Sequence, residues 1–204
     1  MYLKLNRIFV IVFTSLLILG SSLVAQVKTN LEVIDQLVEK TVIGISDALP
    51  GDSKNLEFIY YSSEEMKLLK SNFISSFNEN EYRLNTSGSN NSIILELTLN
   101  TADVDYTDTF RDGLFGNYLV ERKIDLNGSY FISVNGKISD VIKFENSSLD
   151  TLDYEFIQTA ENRTLPFTQS ELPAEPFFSS LLEPAIAIGA AAVTIYLFFT
   201  VRSK

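Results

Sequence analysis

Apolar residues recur along this chain with more than one period. Leu31, Ile34, Leu37 with Val38, Val42 and Ile45 fall three and four apart, the spacing that lines one face of an α-helix. Thr29 and Glu32 precede them with the spacing of a capping box, and Pro50-Gly51 closes the segment. Residues 56–61 (Leu-Glu-Phe-Ile-Tyr-Tyr) are rich in β-formers and read as a first strand. Ser62 and Glu65 repeat the capping spacing, Met66, Leu69, Phe73 and Phe77 share a helical face, and Asn78-Glu79-Asn80 stops that helix. Residues 81–84 predict a short strand and residues 86–91 a polar loop.

The period then changes to two. Ile93, Leu95, Leu97 and Leu99 alternate with Ile94, Glu96, Thr98 and Asn100, which predicts a strand with one face buried. Tyr118, Val120, Arg122, Ile124, Leu126, Tyr130, Ile132 and Val134 share one parity. Parity is unbroken across Asn127-Gly128, so the pattern predicts one long strand with a bulge or kink at Gly128. Asn135-Gly136 is the better hairpin turn, leading into residues 137–144. Asn146 to Asp150 reads as a helix entry, followed by Leu149, Leu152, Phe156 and Ala160 at helical spacing. Three prolines, at 166, 173 and 176, then exclude a central strand or helix. Residues 163–176 read as an extended tether.

The two ends follow a third pattern. Lys4 and Arg7 precede an uncharged run and the small residues before Ala25, as in a secretory signal peptide over residues 1–25. The alternative is an uncleaved anchor, because no charge appears from Ile8 to Lys28. From Pro184 to Val201 there is no charge at all. That run rises about 27 Å as a helix and is apolar on every face, so a membrane span is expected over residues 177–201, with an interfacial start. Arg202 and Lys204 follow it. Basic residues stay cytoplasmic, which puts the tail 202–204 inside and the middle outside, on the periplasmic side in a bacterium.

The chain has 204 residues, 46% hydrophobic and 21% charged, enough for one exported domain over residues 26–162. It has no cysteine and no histidine. Disulfides, acylation at a cysteine, thiolate nucleophiles, common zinc sites and Ser-His-Asp chemistry are thereby excluded. Residues 26–183 hold all 26 acidic residues and 12 basic ones, a net charge of −14. Such a surface repels phosphate backbones, so nucleic acid is not an expected partner.

The order of elements predicts an α+β domain: a mainly antiparallel sheet with helices packed on one face, plus one C-terminal transmembrane helix. The early helix, the strand at 56–61, the helix at 64–77 and the long hairpin about Asn135-Gly136 together resemble bacterial envelope α/β domains of the CsgG/FlgO/LpoB kind, over residues 31–160. The resemblance implies a non-enzymatic assembly or regulatory module. Those relatives are usually lipoproteins, and this chain departs from them in having no cysteine to acylate.

Asp103, Asp105, Asp108 and Asp112 are the weak metal candidates. Clustered carboxylates suit calcium, but the EF-hand frame is missing. The competing reading is a solvated, charge-blunted hairpin tip. Paired carboxylates also hydrolyse glycans across a cleft, although 26 acidic residues make such a pair unspecific. No nucleotide, phosphate or nucleophile-elbow motif appears in the middle, so no catalytic residue and no cofactor is expected. Phe177-Phe178 reads as an interfacial belt or a docking segment. Ala185, Gly189 and Val193, and Ala187 with Ala191, place small residues four apart, as in close helix contacts or as plain filler. The expected function is membrane-anchored binding or scaffolding in the cell envelope, with the bilayer and an envelope protein as partners. The alternatives are a carboxylate-dependent glycan hydrolase and a calcium-responsive docking or adhesion module.

Overall fold

The computed structural model describes residues 27–50, 54–85, 93–113, 116–173 and 179–202. The expected signal peptide, the loop at 86–91 and Phe177-Phe178 lie outside the described residues. The elements run α1 (Asn30–Ala48), β1 (Asn55–Tyr61), α2 (Leu69–Glu79), β2 (Arg83–Asn85), β3 (Ile93–Arg111), β4 (Tyr118–Val134), β5 (Lys137–Ile138) and β6 (Ile142–Asp153). A 3₁₀ turn (Tyr154–Phe156), the short α3 (Ile157–Ala160), a second 3₁₀ turn (Pro166–Thr168) and α4 (Ser179–Arg202) complete them.

The fold class is α+β, with one six-stranded sheet ordered β2-β1-β3-β4, and β5 and β6 following each other along the free side of β4. The sheet is mixed. β1 pairs in parallel with both β2 and β3, and the remaining pairs are antiparallel. α2 is the crossover that returns the chain for the parallel pairing. α1 and α2 cover one sheet face, where Val33, Ile34, Leu37, Phe73 and Phe77 meet Phe58, Leu95, Leu97, Ile124 and Leu126. Phe58 lies 5.4 Å from Phe77 and 6.5 Å from Phe73, ring centre to ring centre, and ties α2 to the sheet.

The first capping box forms as expected: Thr29 accepts from the Glu32 backbone and the Glu32 carboxylate accepts from the Thr29 N–H. The second does not. Ser62 donates to the Ser63 carbonyl instead, and a run of i+3 turns from Ser63 to Ser71 delays the helix to Leu69. That delay buries Met66, whose carbonyl accepts from the Tyr60 hydroxyl at 3.0 Å.

Asn135 (φ 52°) and Gly136 (φ 79°) form the two-residue hairpin turn between Val134 and Lys137, both in the left-handed region that such turns require. β4 runs without a break through Asn127 and Gly128. The irregularity lies opposite, at Asn100 of β3, where the register shifts between Leu99 and Thr101. This bulge moves the buried set of β3 from Leu95, Leu97 and Leu99 to Ala102, Val104 and Tyr106. Gly128 is needed for space: a Cβ there would stand 2.5 Å from both the Phe144 ring and the Thr98 carbonyl.

Two expectations are corrected. Asn146 to Asp150 is not a helix entry but part of β6, which pairs with β4 from Leu119↔Asp153 to Tyr130↔Ile142. Residues 163–176 are not an extended tether throughout. Phe167 and Thr168 are buried, and Phe167 belongs to the core cluster.

The apolar C-terminal run is helical over 24 residues. Its described side chains extend from Ala185 to Thr200, a rise of about 24 Å against a hydrocarbon core of ~30 Å. Among the described residues no helix is long and apolar enough to cross a membrane.

Candidate functional site

β3 and β4 bring their buried sides together at the end of the sheet where α1 begins. Arg122 sits on the apolar parity of β4 between Val120 and Ile124, and only 2% of it is exposed. A buried guanidinium needs a partner for each donor edge. Its Nε donates to Asp150 Oδ1 at 2.8 Å and its Nη2 to Asp150 Oδ2, a bidentate pair across β4 and β6. Its Nη1 donates to the Lys28 carbonyl at 2.9 Å and to Asn30 Oδ1 at 2.8 Å. Asn30, fully buried, donates in turn to the Tyr106 hydroxyl at 2.9 Å and to the Thr168 carbonyl at 2.8 Å. Burial pushes the Tyr106 phenol up to about 12, against the Asn30 hydrogen bond that acts the other way. The network is closed. It holds the entry of the chain at Lys28 and Asn30 against its exit at Thr168, so both leave the domain at one pole.

α1 carries the chain about 28 Å from that pole to the opposite one. There Ala48, Pro50, Ile132, Val134, Ile138 and Ile142 line an open groove of about 420 Å³. Ile138 and Val141 beside it are 64% and 63% exposed. Apolar side chains left open at one spot mark a contact surface more often than singly exposed ones do.

The outer faces of α1 and α2 enclose a second groove, of about 540 Å³, with Asp35, Glu39 and Glu79 along it. Asn72 donates to the Asp35 carboxylate across the groove. Burial raises the Asp35 carboxyl above its ordinary range, opposed by the Asn72 hydrogen bond, with the Glu32 charge adding to the rise. Ser76 lines this groove and is 6% exposed, and its Oγ has no hydrogen-bond partner.

Of the residues singled out in the sequence, Asp103 and Asp105 stand on the uncovered sheet face, opposite Asp125 and Lys123 of β4. Asp108 follows on the exposed end of β3, and Asp112 lies past it in the turn region. The four are therefore strung along a strand instead of gathered at a hairpin tip. Among the described residues no three acidic groups converge to hold a metal ion. Ala185, Ala187, Gly189, Ala191 and Val193 lie in α4, all exposed. Arg122 escaped the sequence reading, although a signal was present: it is the one charged residue on the apolar parity from Val120 to Ile132. Ser76 and Asp35 carried no such signal.

No family model matches the chain, and no curated protein does. Solved structures similar to it include the rare lipoprotein B from Shewanella oneidensis, with a TM-score of 0.33 and 16% identity over 48% of this chain and 68% of that one. A minor lipoprotein from Acinetobacter baumannii gives a TM-score of 0.32 and 14% identity over 52% and 76%. A structure described as a neuraminyllactose-binding hemagglutinin homolog from Helicobacter pylori gives 0.31 and 10% over 50% and 68%.

Proposed function

We propose that this chain is a membrane-anchored binding protein of a cell envelope, with an exported domain and no catalytic task. The observation that carries this reading is α4. Ile188, Val193, Ile195, Leu197 and Phe199 point in different directions around it, and each is between 52% and 70% exposed. A helix apolar on all sides has no stable face in water and needs lipid or a partner helix. Each square ångström moved out of water contributes roughly 25 cal/mol, so insertion of several such side chains outweighs any packing seen for this helix. On this reading the span is the run from Pro184 to Val201. Arg202 and Lys204 hold the tail inside. The Arg122 network then forms the membrane-side pole, and the apolar groove at Ile138 and Ile142 faces away, toward an envelope protein.

The absence of native cysteine makes the test clean. Ser139→Cys should react with an impermeant maleimide in intact cells, and Ser203→Cys only after permeabilisation, with the protein remaining in membranes after an alkaline wash. Recovery in the washed supernatant, or labelling of Ser203→Cys in intact cells, overturns the anchoring and its direction. A photo-crosslinker at Val141 should trap one recurrent envelope protein, and random adducts there would remove the groove as the contact surface.

A further inference from the structure

We propose that the groove between α1 and α2 binds a linear polyamine, a small extended cation of the spermidine class. The inference rests on the folded domain alone and does not depend on how the chain is anchored. Both helices run from the Arg122 pole toward the hairpin pole. For α1 this follows from Asn30 at one end and Ala48 at the other. For α2 it follows from Tyr60 meeting Met66 before the helix and from Lys54 meeting Arg83 after it. Asn72 is level with Asp35, to which it donates. Glu39 lies one turn further along α1, and Glu79 two turns beyond Asn72 on α2. At 1.5 Å per residue the three carboxylates stand at about 0, 6 and 10 Å along the groove.

That spacing decides between kinds of cation. A metal ion needs its carboxylates within one coordination shell of ~2.5 Å, and no such group exists among the described residues. A chain of ammonium groups separated by three or four methylenes meets carboxylates set about one helical turn apart. No basic side chain lines the groove. Lys28 donates to Gln36 at its end, at 3.3 Å, and is itself exposed. The floor adds an acceptor: the Ser76 Oγ is buried and unpartnered, a group that an N–H donor would satisfy. Ser75, which donates to Glu79 at 3.3 Å, holds that carboxylate at the groove. Half-burial of Asp35 completes the case, because a carboxylate taken partly out of water gains most from a cation placed beside it.

Titration calorimetry of the full chain in detergent micelles, with spermidine at about 150 mM salt, tests this. Saturable binding of one spermidine per chain is expected. Glu39→Gln and Glu79→Gln should each weaken it about tenfold, the loss of one charge-assisted hydrogen bond. Ser76→Ala should weaken it less, and Asp103→Asn should leave it unchanged. Thermal melts identical to wild type would show that the Gln variants remain folded. Absence of saturable heat overturns the proposal, as does an equal loss in Asp103→Asn, which would mean diffuse attraction to an acidic surface. Full displacement by equimolar calcium would reveal a metal site instead. Tighter binding of a lysine-rich peptide than of spermidine would make the groove a protein-docking surface.

Discussion

Arg122 illustrates how a single charged residue is accommodated in a core. A lone guanidinium at that depth would cost several kcal/mol of desolvation. Asp150, Asn30 and the Lys28 carbonyl together satisfy its donors, and Asp150 stays 39% exposed, which lowers the cost of its own charge. Tyr106 is the titratable group inside the same network. Its folded pKa of about 12 lies above the ordinary 10.0. A group that holds its proton more tightly when folded contributes stability that is complete below pH 10 and is lost as pH rises through 12. Tyr60 and Tyr130 are raised in the same direction by burial, so the whole protein loses stability over this range. Tyr106→Phe removes the largest contribution and leaves Asn30 its bond to Thr168. Denaturant melts at pH 9, 10, 11 and 12 should therefore show a shallower decline for Tyr106→Phe than for wild type. Parallel declines would mean that the phenol is not held neutral by the fold.

Elements whose period is carried by side chains alone were legible in the sequence, and those whose inward residues are polar were not. The alternation of β3 and β4 and the face of α1 are written in Leu, Ile and Val. β6 presents Phe144, Asn146, Ser148, Asp150 and Leu152 inward. Asn146 donates to Thr41 of α1 and Asp150 pairs with Arg122, so the inward side is polar and the strand period disappears from a hydrophobicity reading. The accidental spacing of Leu149, Leu152 and Phe156 then imitates a helix, although Leu149 is 62% exposed. The polyamine groove was invisible for a related reason: its residues come from two helices, and only their packing brings Asp35 to Asn72. Glycines divide in the same way. Gly128 is fixed by the Phe144 ring and the Thr98 carbonyl, and Gly44 has nothing within 4 Å. Gly128→Ala should destabilise the domain by about 1–3 kcal/mol through overpacking against backbone. Gly44→Ala, in the interior of α1 and exposed, should stabilise it by about 0.5–1 kcal/mol. Equal and small shifts in both variants would show that β3 and β6 do not close on Gly128 as described.

For the molecule as a whole, the decisive connection is between the first turn of α1 and the segment after α3. The sequence placed the end of the folded unit at 162, because the prolines that follow forbid regular structure. They forbid helix and strand, but not packing. Pro166 begins a single 3₁₀ turn that its fixed φ favours, and this turn drives Phe167 into the core and presents the Thr168 carbonyl to Asn30. Thr168 is anchored further by its hydroxyl, which donates to the Leu165 and Asn162 carbonyls and accepts from the Asn162 N–H at 3.1 Å. A chain cut after Asn162 would lose a buried aromatic worth about 1.5–3 kcal/mol. It would also leave one buried Asn30 donor facing only Tyr106, a further ~1 kcal/mol. A domain of this size has about 5–15 kcal/mol in total, so the loss is a large fraction but not all of it. The expected outcome is that residues 27–170 unfold in one cooperative transition without lipid or metal, and that residues 27–162 do so at a midpoint lower by roughly 6–12 °C, at 2–4 °C for each kcal/mol. Restoring the segment as Phe167→Ala should recover only part of that difference, the part owed to Thr168. If both lengths melt together, the turn at Pro166 packs without contributing, and the fold ends where the prolines begin.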